Sequence, residues 1–409
     1  MHRRENHSGL VYRQDILSEI CRFLPSQPLA FITASPTIRQ VVERIYCESL
    51  LINAVSLSKA GNPTEYGQRL PQNGAWCGQV SSLRSSLWWI RRLAKLYDGK
   101  LAALSFACRS SIADLTEVKN LSGLLSLFMP EAIILNKTLT PLGSCPTLEH
   151  LWLRSCRGFT RVEPFSQLHS LKTLNLSNTG VTDDGLSALT ACRTLEDLDL
   201  SGCDFICGVP FLKDMKYLRI LKIRDSGATD RAMAVIGTVS GLLQLDISGC
   251  ILVTSLNPLR TLKRLERLNA TWCGLCDKGI EDLTHCKSLE FLSMARCWDI
   301  RNVNVLGFLQ NLRILDLQGT NVDDEGVAGL SRCESLTILR LGGCFSIRSV
   351  SILAKMPALK EIDVSYTAVT DESISSFPNW VRVIKRPLRI HSCNSSAMYV
   401  ESRRHSFHR

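Results

Sequence analysis

The stretch LKTLNLSNTGVTDDGLSALTACRT, residues 171–194, runs directly into LEDLDLSGCDFICGVPFLKDMKY, residues 195–217. Both halves open on the frame L-x-x-L-x-L-x-x-(T/C), and they are 24 and 23 residues long. The first leucine of this frame recurs at Leu101, Leu124, Leu148, Leu171, Leu195, Leu218, Leu242, Leu265, Leu289, Leu312, Leu336 and Leu359. The spacings alternate 23 and 24 without a break, so the repeating unit is a pair of 47 residues. Within each frame the leucines alternate with polar residues, as Leu198 and Leu200 do around Asp199. That is the period of a strand with one buried face.

A fixed period of this length marks a leucine-rich-repeat solenoid, in which no single repeat closes a core and stacked neighbours do. The expected fold is α/β: a curved horseshoe of about 12 repeats over residues 101–386, with parallel strands on its concave side. Twelve strands about 4.8 Å apart span roughly 55 Å. Each buried leucine contributes about 1.5–3 kcal/mol. The return segments differ by repeat type. In the 24-residue repeats VTDDGLSAL (181–189), ATDRAMAVI (228–236), VDDEGVAGL (322–330) and VTDESISSF (369–377) set Thr182, Thr229, Asp323 and Thr370 as N-caps before acidic residues. This predicts a convex helix there. The 23-residue repeats read DFICGVPFL (204–212) or ILVTSLNPL (251–259), with β-branched residues and proline, and predict a tighter 3₁₀ or extended return. WVRVIKR (380–386) reads as a closing edge strand.

The 409 residues are 45% apolar and 21% charged, the balance of an ordered protein. No stretch is apolar enough to span a membrane, and the N-terminus lacks the apolar core of a secretory signal, so cytoplasm or nucleus is expected. Of 17 cysteines, Cys156, Cys203, Cys250, Cys273, Cys297 and Cys344 occupy the ninth place of the frame. Cys145, Cys192, Cys286 and Cys333 lie three residues before the next frame. These read as reduced core ladders, since a small, weakly polar thiol suits a narrow interior. Cys273 and Cys276 form a lone C-x-x-C without a second pair or a histidine at zinc-site spacing, so no metal or other cofactor is expected.

The flanks divide the chain further. Residues 1–12 carry no pattern and read as a flexible tail. Residues 13–55 place Ile16, Leu17, Ile20, Phe23 and Leu24 at helical spacing, with turns at Pro25 and Pro28, and read as short helices. Residues 56–80 read as a linker. Residues 81–100 set Leu83, Leu87, Ile90, Leu93, Ala94 and Tyr97 on one helical face with Arg84, Arg91, Arg92 and Lys95 elsewhere, a pattern that suits a membrane surface or, as its place just before Leu101 favours, an N-terminal cap over the open end of the solenoid. Residues 387–409 form a basic tail. The last 30 residues hold Arg382, Lys385, Arg386, Arg389, Arg403, Arg404 and Arg409 against Glu401, within a net charge of +10. Such a tail is either a solvated end or a hold on an acidic partner or nucleic acid.

Residues 13–48 resemble an F-box, the helical module by which many leucine-rich-repeat proteins join a cullin-type ubiquitin ligase. The usual opening Leu-Pro is Arg13-Gln14 here, and no tryptophan closes the segment. The resemblance implies a Skp-type adaptor as partner and a role as a substrate-recognition subunit. The repeats themselves resemble the cysteine-containing leucine-rich repeats of F-box substrate receptors. Their alternating 23/24 form resembles the leucine-rich-repeat proteins of trypanosomes. Some of that group carry an N-terminal RING finger; this chain has no such Cys/His cluster, so intrinsic ligase activity is not implied.

Catalysis needs converging groups, and neither the eight scattered histidines nor any nucleophile, phosphate-loop or metalloprotease motif supplies them. The expectation is a non-enzymatic scaffold. The frame assigns its leucines and cysteines to the interior, which leaves the outward strand residues to meet a protein partner on the concave face. Between the last two leucines stand Trp152, Asn175, Asp199, Lys222, Asp246, Asn269, Ser293, Asp316, Arg340 and Asp363. On or beside that face fall Trp272, Phe291 and Tyr366, with Arg154, Arg224 and Arg296, and Trp, Tyr and Arg are the usual interface anchors.

Overall fold

The computed structural model describes residues 51–53, 103–105, 111–112 and 114–387. The helices expected over 13–48, the linker, the 81–100 cap and the tail from residue 388 lie outside them. Among the described residues, three-residue strands join into one 14-stranded parallel sheet running in chain order from Leu51–Asn53 to Arg382–Ile384. Register follows the frame, so that Leu198 stands opposite Leu174 on one side and Leu221 on the other. In most of these strands the middle leucine is fully buried while the residues on either side reach the surface.

Two expectations are corrected. The region 13–55 does not end in helix: Leu51–Asn53 is a strand, with Ile52 opposite Leu104, so a degenerate strand precedes the first legible frame. A β-branched residue in an apolar run gave it strand character without the leucine spacing that would have marked it. The long returns are also not all α-helical. Asp230–Ile236, Asp324–Ala328 and Asp371–Ser375 are α-helix, while Asp184–Ala191 and Asp277–His285 are 3₁₀. The longest α-turn is built on Arg231, Ala232, Met233 and Ala234, strong helix formers, but glycine does not decide the type, since Gly326 lies inside the α-turn Asp324–Ala328 at the place of Gly185 and Gly279 in the 3₁₀ returns. All four predicted caps form. The Oγ1 of Thr182, Thr229 and Thr370 accepts from the amides of Gly185, Arg231 and Ser373, and Asp323 Oδ1 accepts from Gly326.

Every short return, such as Glu163–Gln167 or Asn257–Thr261, is a five-residue 3₁₀ turn. The alternation has a steric cause. An α-helix with its side chains is about 10 Å wide, whereas strands stack about 4.8 Å apart. One broad return therefore fits for every two strands, with a narrow one between.

Two ladders tie neighbouring repeats together inside the molecule. The ninth-place cysteines donate to the carbonyl of the third frame leucine, or its equivalent, in the preceding repeat: Cys203 to Leu176 at 3.2 Å, Cys250 to Ile223 at 3.1 Å and Cys344 to Leu317 at 3.1 Å. In the alternate repeats the ninth place is Thr179, Ser226 or Thr320, whose hydroxyl donates to the same carbonyls. Each carbonyl thus receives one hydroxyl and one thiol, which accounts for the alternation of Thr or Ser with Cys. A second ladder runs through Cys192, Cys286 and Cys333, which donate to Phe165, Leu259 and Leu306. Cys273 is spent the same way, on the Ile247 carbonyl.

A third ladder lies at the start of the long returns, where the sequence reading saw only a helix-start residue in Asp183. The carboxylate of Asp183 accepts the amides of Cys207, Gly208 and Val209 in the next repeat at 2.8–3.0 Å. Asp230 takes Thr254 and Ser255, Asp277 takes Arg301 and Asn302, and Asp324 takes Arg348 and Ser349. Asn136 does the same for Thr160. These positions recur every 47 residues, so each two-repeat unit is clipped to the return that follows it.

Candidate functional site

The strand face carries the residues singled out in the sequence, and the structure divides them into two groups. The first serves the scaffold. Asn175, Asp199, Asp246, Asn269, Asp316 and Asp363 each turn a side-chain oxygen onto the amide two residues ahead, at 2.9–3.2 Å, and so hold the turn that leaves the strand. The premise that the scaffold has no use for a particular residue at this place is therefore corrected for these six. Asn175 also donates to Asp199 at 3.2 Å. Arg224 lies 3.8 Å from Asp246, and Arg340 lies 3.5 Å from Asp316. Lys222 faces the Asp197–Asp199 strand, where burial raises the Asp197 carboxyl above its ordinary range, Lys222 opposes the rise and Asp199 adds to it.

The second group is aromatic and cationic. Trp152 stacks on Phe128, rings 4.1 Å apart and 6° from parallel, and His150 flanks it at 5.5 Å. Arg154 is exposed beside this stack. Five strands further on, the Arg267 guanidinium lies 4.6 Å over the ring of Phe291, its partner in register on the neighbouring strand. In the turns leaving the same two strands, the Arg296 guanidinium lies 5.6 Å from Trp272, and Trp298 meets Trp272 edge-on at 6.4 Å. Tyr366 stands apart near the end of the sheet.

The backbone beneath three of these residues is unusual. The eighth place of the frame is left-handed in repeat after repeat: Gly202, Gly249, Gly319 and Gly343, but also Asn178 and Asp225, and Glu131 and Ser155. Glycine and Asx residues adopt that conformation at low cost. Trp272, Arg296 and Tyr366 hold it at φ of 60°, 60° and 58°. Each bears a strain of about 1–2 kcal/mol that glycine would not. Trp272 and Tyr366 are nonetheless 41% and 39% exposed, so packing in the core does not account for them.

Phe128, His150, Arg267 and Trp298 were missed by sequence reasoning. The first residue of each strand faces outward as the third does, and of these sequence reasoning picked out only Phe291, passing over His150 and Arg267. Phe128 does occupy that place, in a frame whose third leucine is Met129.

Comparison with known proteins agrees with this geometry. A family model described as Leucine Rich repeat matches residues 167–189, 191–206 and 308–331. The chain is a leucine-rich-repeat solenoid. Among solved structures, the solenoid is similar to a leucine-rich-repeat protein of Leptospira interrogans, with TM-score 0.57 and 17% identity over 72% of this chain and 80% of that one. It is similar to an internalin of Listeria monocytogenes, with TM-score 0.52 and 21% identity over 65% of this chain and 81% of the other. A plant receptor-kinase ectodomain from Arabidopsis thaliana, in complex with Casparian strip integrity factor 2, gives TM-score 0.51 and 18% identity over 71% of the solenoid chain and 39% of its own. At these identities the likeness is one of fold. No curated protein matches the chain.

Proposed function

We propose that this solenoid is a non-enzymatic scaffold that holds a protein partner on the outward face of its strands and the turns beside them. The observation that supports it most is that Trp272, Arg296 and Tyr366, large side chains, stand at left-handed positions that four other repeats fill with glycine and two with Asn or Asp. The contacts of Trp272 with Arg296 and Trp298 offset only part of that strain, and strain of this kind gathers where a surface works on something else. Trp152 with Arg154, and Phe291 with Arg267, extend the same surface. The Asp and Asn residues at the strand ends contribute polar edges already oriented by their turns.

The test uses the double variant Trp272→Gly and Tyr366→Gly. The expected result is a melting temperature equal to or above that of the parent, with loss of the partner recovered by affinity capture. An unchanged set of captured proteins would overturn the reading.

A second reading makes the chain the substrate receptor of a cullin-type ubiquitin ligase, with residues 13–48 binding a Skp-type adaptor. Its support is the proline-punctuated helical spacing of that segment and the resemblance of the repeats to F-box receptors. Co-purification of such an adaptor, lost on deleting residues 1–48, supports it; an adaptor absent from the full-length preparation removes it. Residence in cytoplasm or nucleus belongs to both readings, and so does the likeness to trypanosome repeats.

A further inference from the structure

We infer that the two-repeat patch centred on the strands Arg267–Asn269 and Phe291–Ser293 binds an extended peptide segment in which acidic side chains flank an apolar one. The inference rests on the strand-face reading above and names the chemistry of its partner.

Two guanidiniums of this patch are laid over aromatic rings, Arg267 over Phe291 and Arg296 over Trp272. A ring holds such a cation by its face and leaves the N–H edges of the fork free. Among the described residues neither arginine has a carboxylate within ion-pair distance. Arg224 and Arg340 on the same face, and Arg313 at its edge, each have one. The nearby Glu290 carboxylate is the one taken by Arg313. The two free forks are thus the unsatisfied charges of the patch, and carboxylates are the planar acceptors that match them in pairs of hydrogen bonds.

Between them the floor is low. Ser293 and Ala295 are small and buried, at 4% and 8% exposure, and the Thr271 hydroxyl is turned onto Ser293 at 2.7 Å. The strands on either side carry Asn269 and Asp316 opposite Ser293, the Asp316 carboxylate being taken by Arg340, and Gln318 stands at the place of Ala295 one repeat on. A segment lying across this floor meets apolar ring surface from Phe291 and Trp272 at its two sides and a guanidinium next to each. An acidic residue, an apolar residue and a second acidic residue satisfy that order. The phosphates of nucleic acid would answer the cations but not the apolar ring surface between them.

The test measures fluorescence anisotropy with the full chain and a labelled decapeptide of alternating Glu and Leu, beside the same peptide with Gln for every Glu. Micromolar binding of the Glu peptide is expected, at least tenfold weaker for the Gln peptide and for Arg267→Gln or Arg296→Gln. Arg332, which lies 5.5 Å from the ring of Phe308 on the return side, is the control, and Arg332→Gln is expected to bind as the parent does. Equal binding of the two peptides, parent-like binding by both patch variants, or preference for a uridine oligonucleotide over the Glu peptide would overturn the inference. Self-association of the free chain that Arg296→Gln abolishes would do so too, by making a second copy the occupant. If the peptides fail while Trp272→Gly with Tyr366→Gly still loses a captured partner, the acidic chemistry is wrong and the strand-face reading stands. If that capture is also unchanged, both are wrong.

Discussion

Burial pushes the thiols of Cys156 and Cys192 from 9.0 up to about 12, and those of Cys145, Cys286, Cys297 and Cys333 up to about 11. Each is a neutral donor aimed at, or close to, a carbonyl, so the folded chain keeps a proton that the unfolded chain releases near pH 9. Stability contributed this way is complete below pH 9 and is lost as pH rises toward 11–12, at about 1.4 kcal/mol per pH unit for each thiol. Urea titrations are expected to show a flat midpoint from pH 7 to about 8.5 and a steep fall above it; a midpoint constant to pH 10.5 would contradict the ladder. These cysteines were legible in the sequence because they repeat in phase with the leucines. The strand-end Asx residues were not, since one residue type serves a turn, a wet surface and a partner equally well. The eighth place held a readable signal that went unused: Gly202, Gly249, Gly319 and Gly343 announce a left-handed site, Asn178 and Asp225 suit it, and Glu131, Ser155, Trp272, Arg296 and Tyr366 are its exceptions.

At the level of the element, the long return is held from both sides. Its cap closes its own first turn, and the next residue reaches the following repeat. Thr229→Ala is expected to cost about 1 kcal/mol, the usual worth of a lost cap. Asp230→Ala removes the acceptor for Thr254 and Ser255 and is expected to cost about 2 kcal/mol, with Asp230→Asn milder, as Asn136 fills the equivalent place. Thermal unfolding of the three variants checks the order, and an Asp230→Ala loss smaller than that of Thr229→Ala would remove the clip from the account. The caps could be read from Thr-Asp before an apolar run. The clip could not, because its partners lie 24–26 residues ahead and share no pattern beyond backbone amides. Nor did the caps decide between α and 3₁₀, since Thr182 and Asp323 both cap and are both followed three residues on by glycine, yet only the second opens an α-turn.

For the whole molecule, the 47-residue period is a statement about width. Deleting residues 218–264 removes one broad and one narrow return and rejoins Tyr217 to Leu265 in phase. This chain is expected to fold cooperatively, with circular dichroism per residue like that of the parent. Deleting 242–264 alone sets two long returns over neighbouring strands, the α-helix Asp230–Ile236 and the nine-residue 3₁₀ return Asp277–His285, and is expected to aggregate or melt far lower. Equal stability of the two deletions would show that width does not set the period. The leucine frame made this architecture legible from residue 101 onward, and it fell silent before that, where Leu51–Asn53 joins the sheet without it. The alternation of broad and narrow returns also bears on inheritance. A lineage can lengthen or shorten such a protein only by whole pairs of repeats, so copies that misalign during recombination survive in even steps and disappear in odd ones.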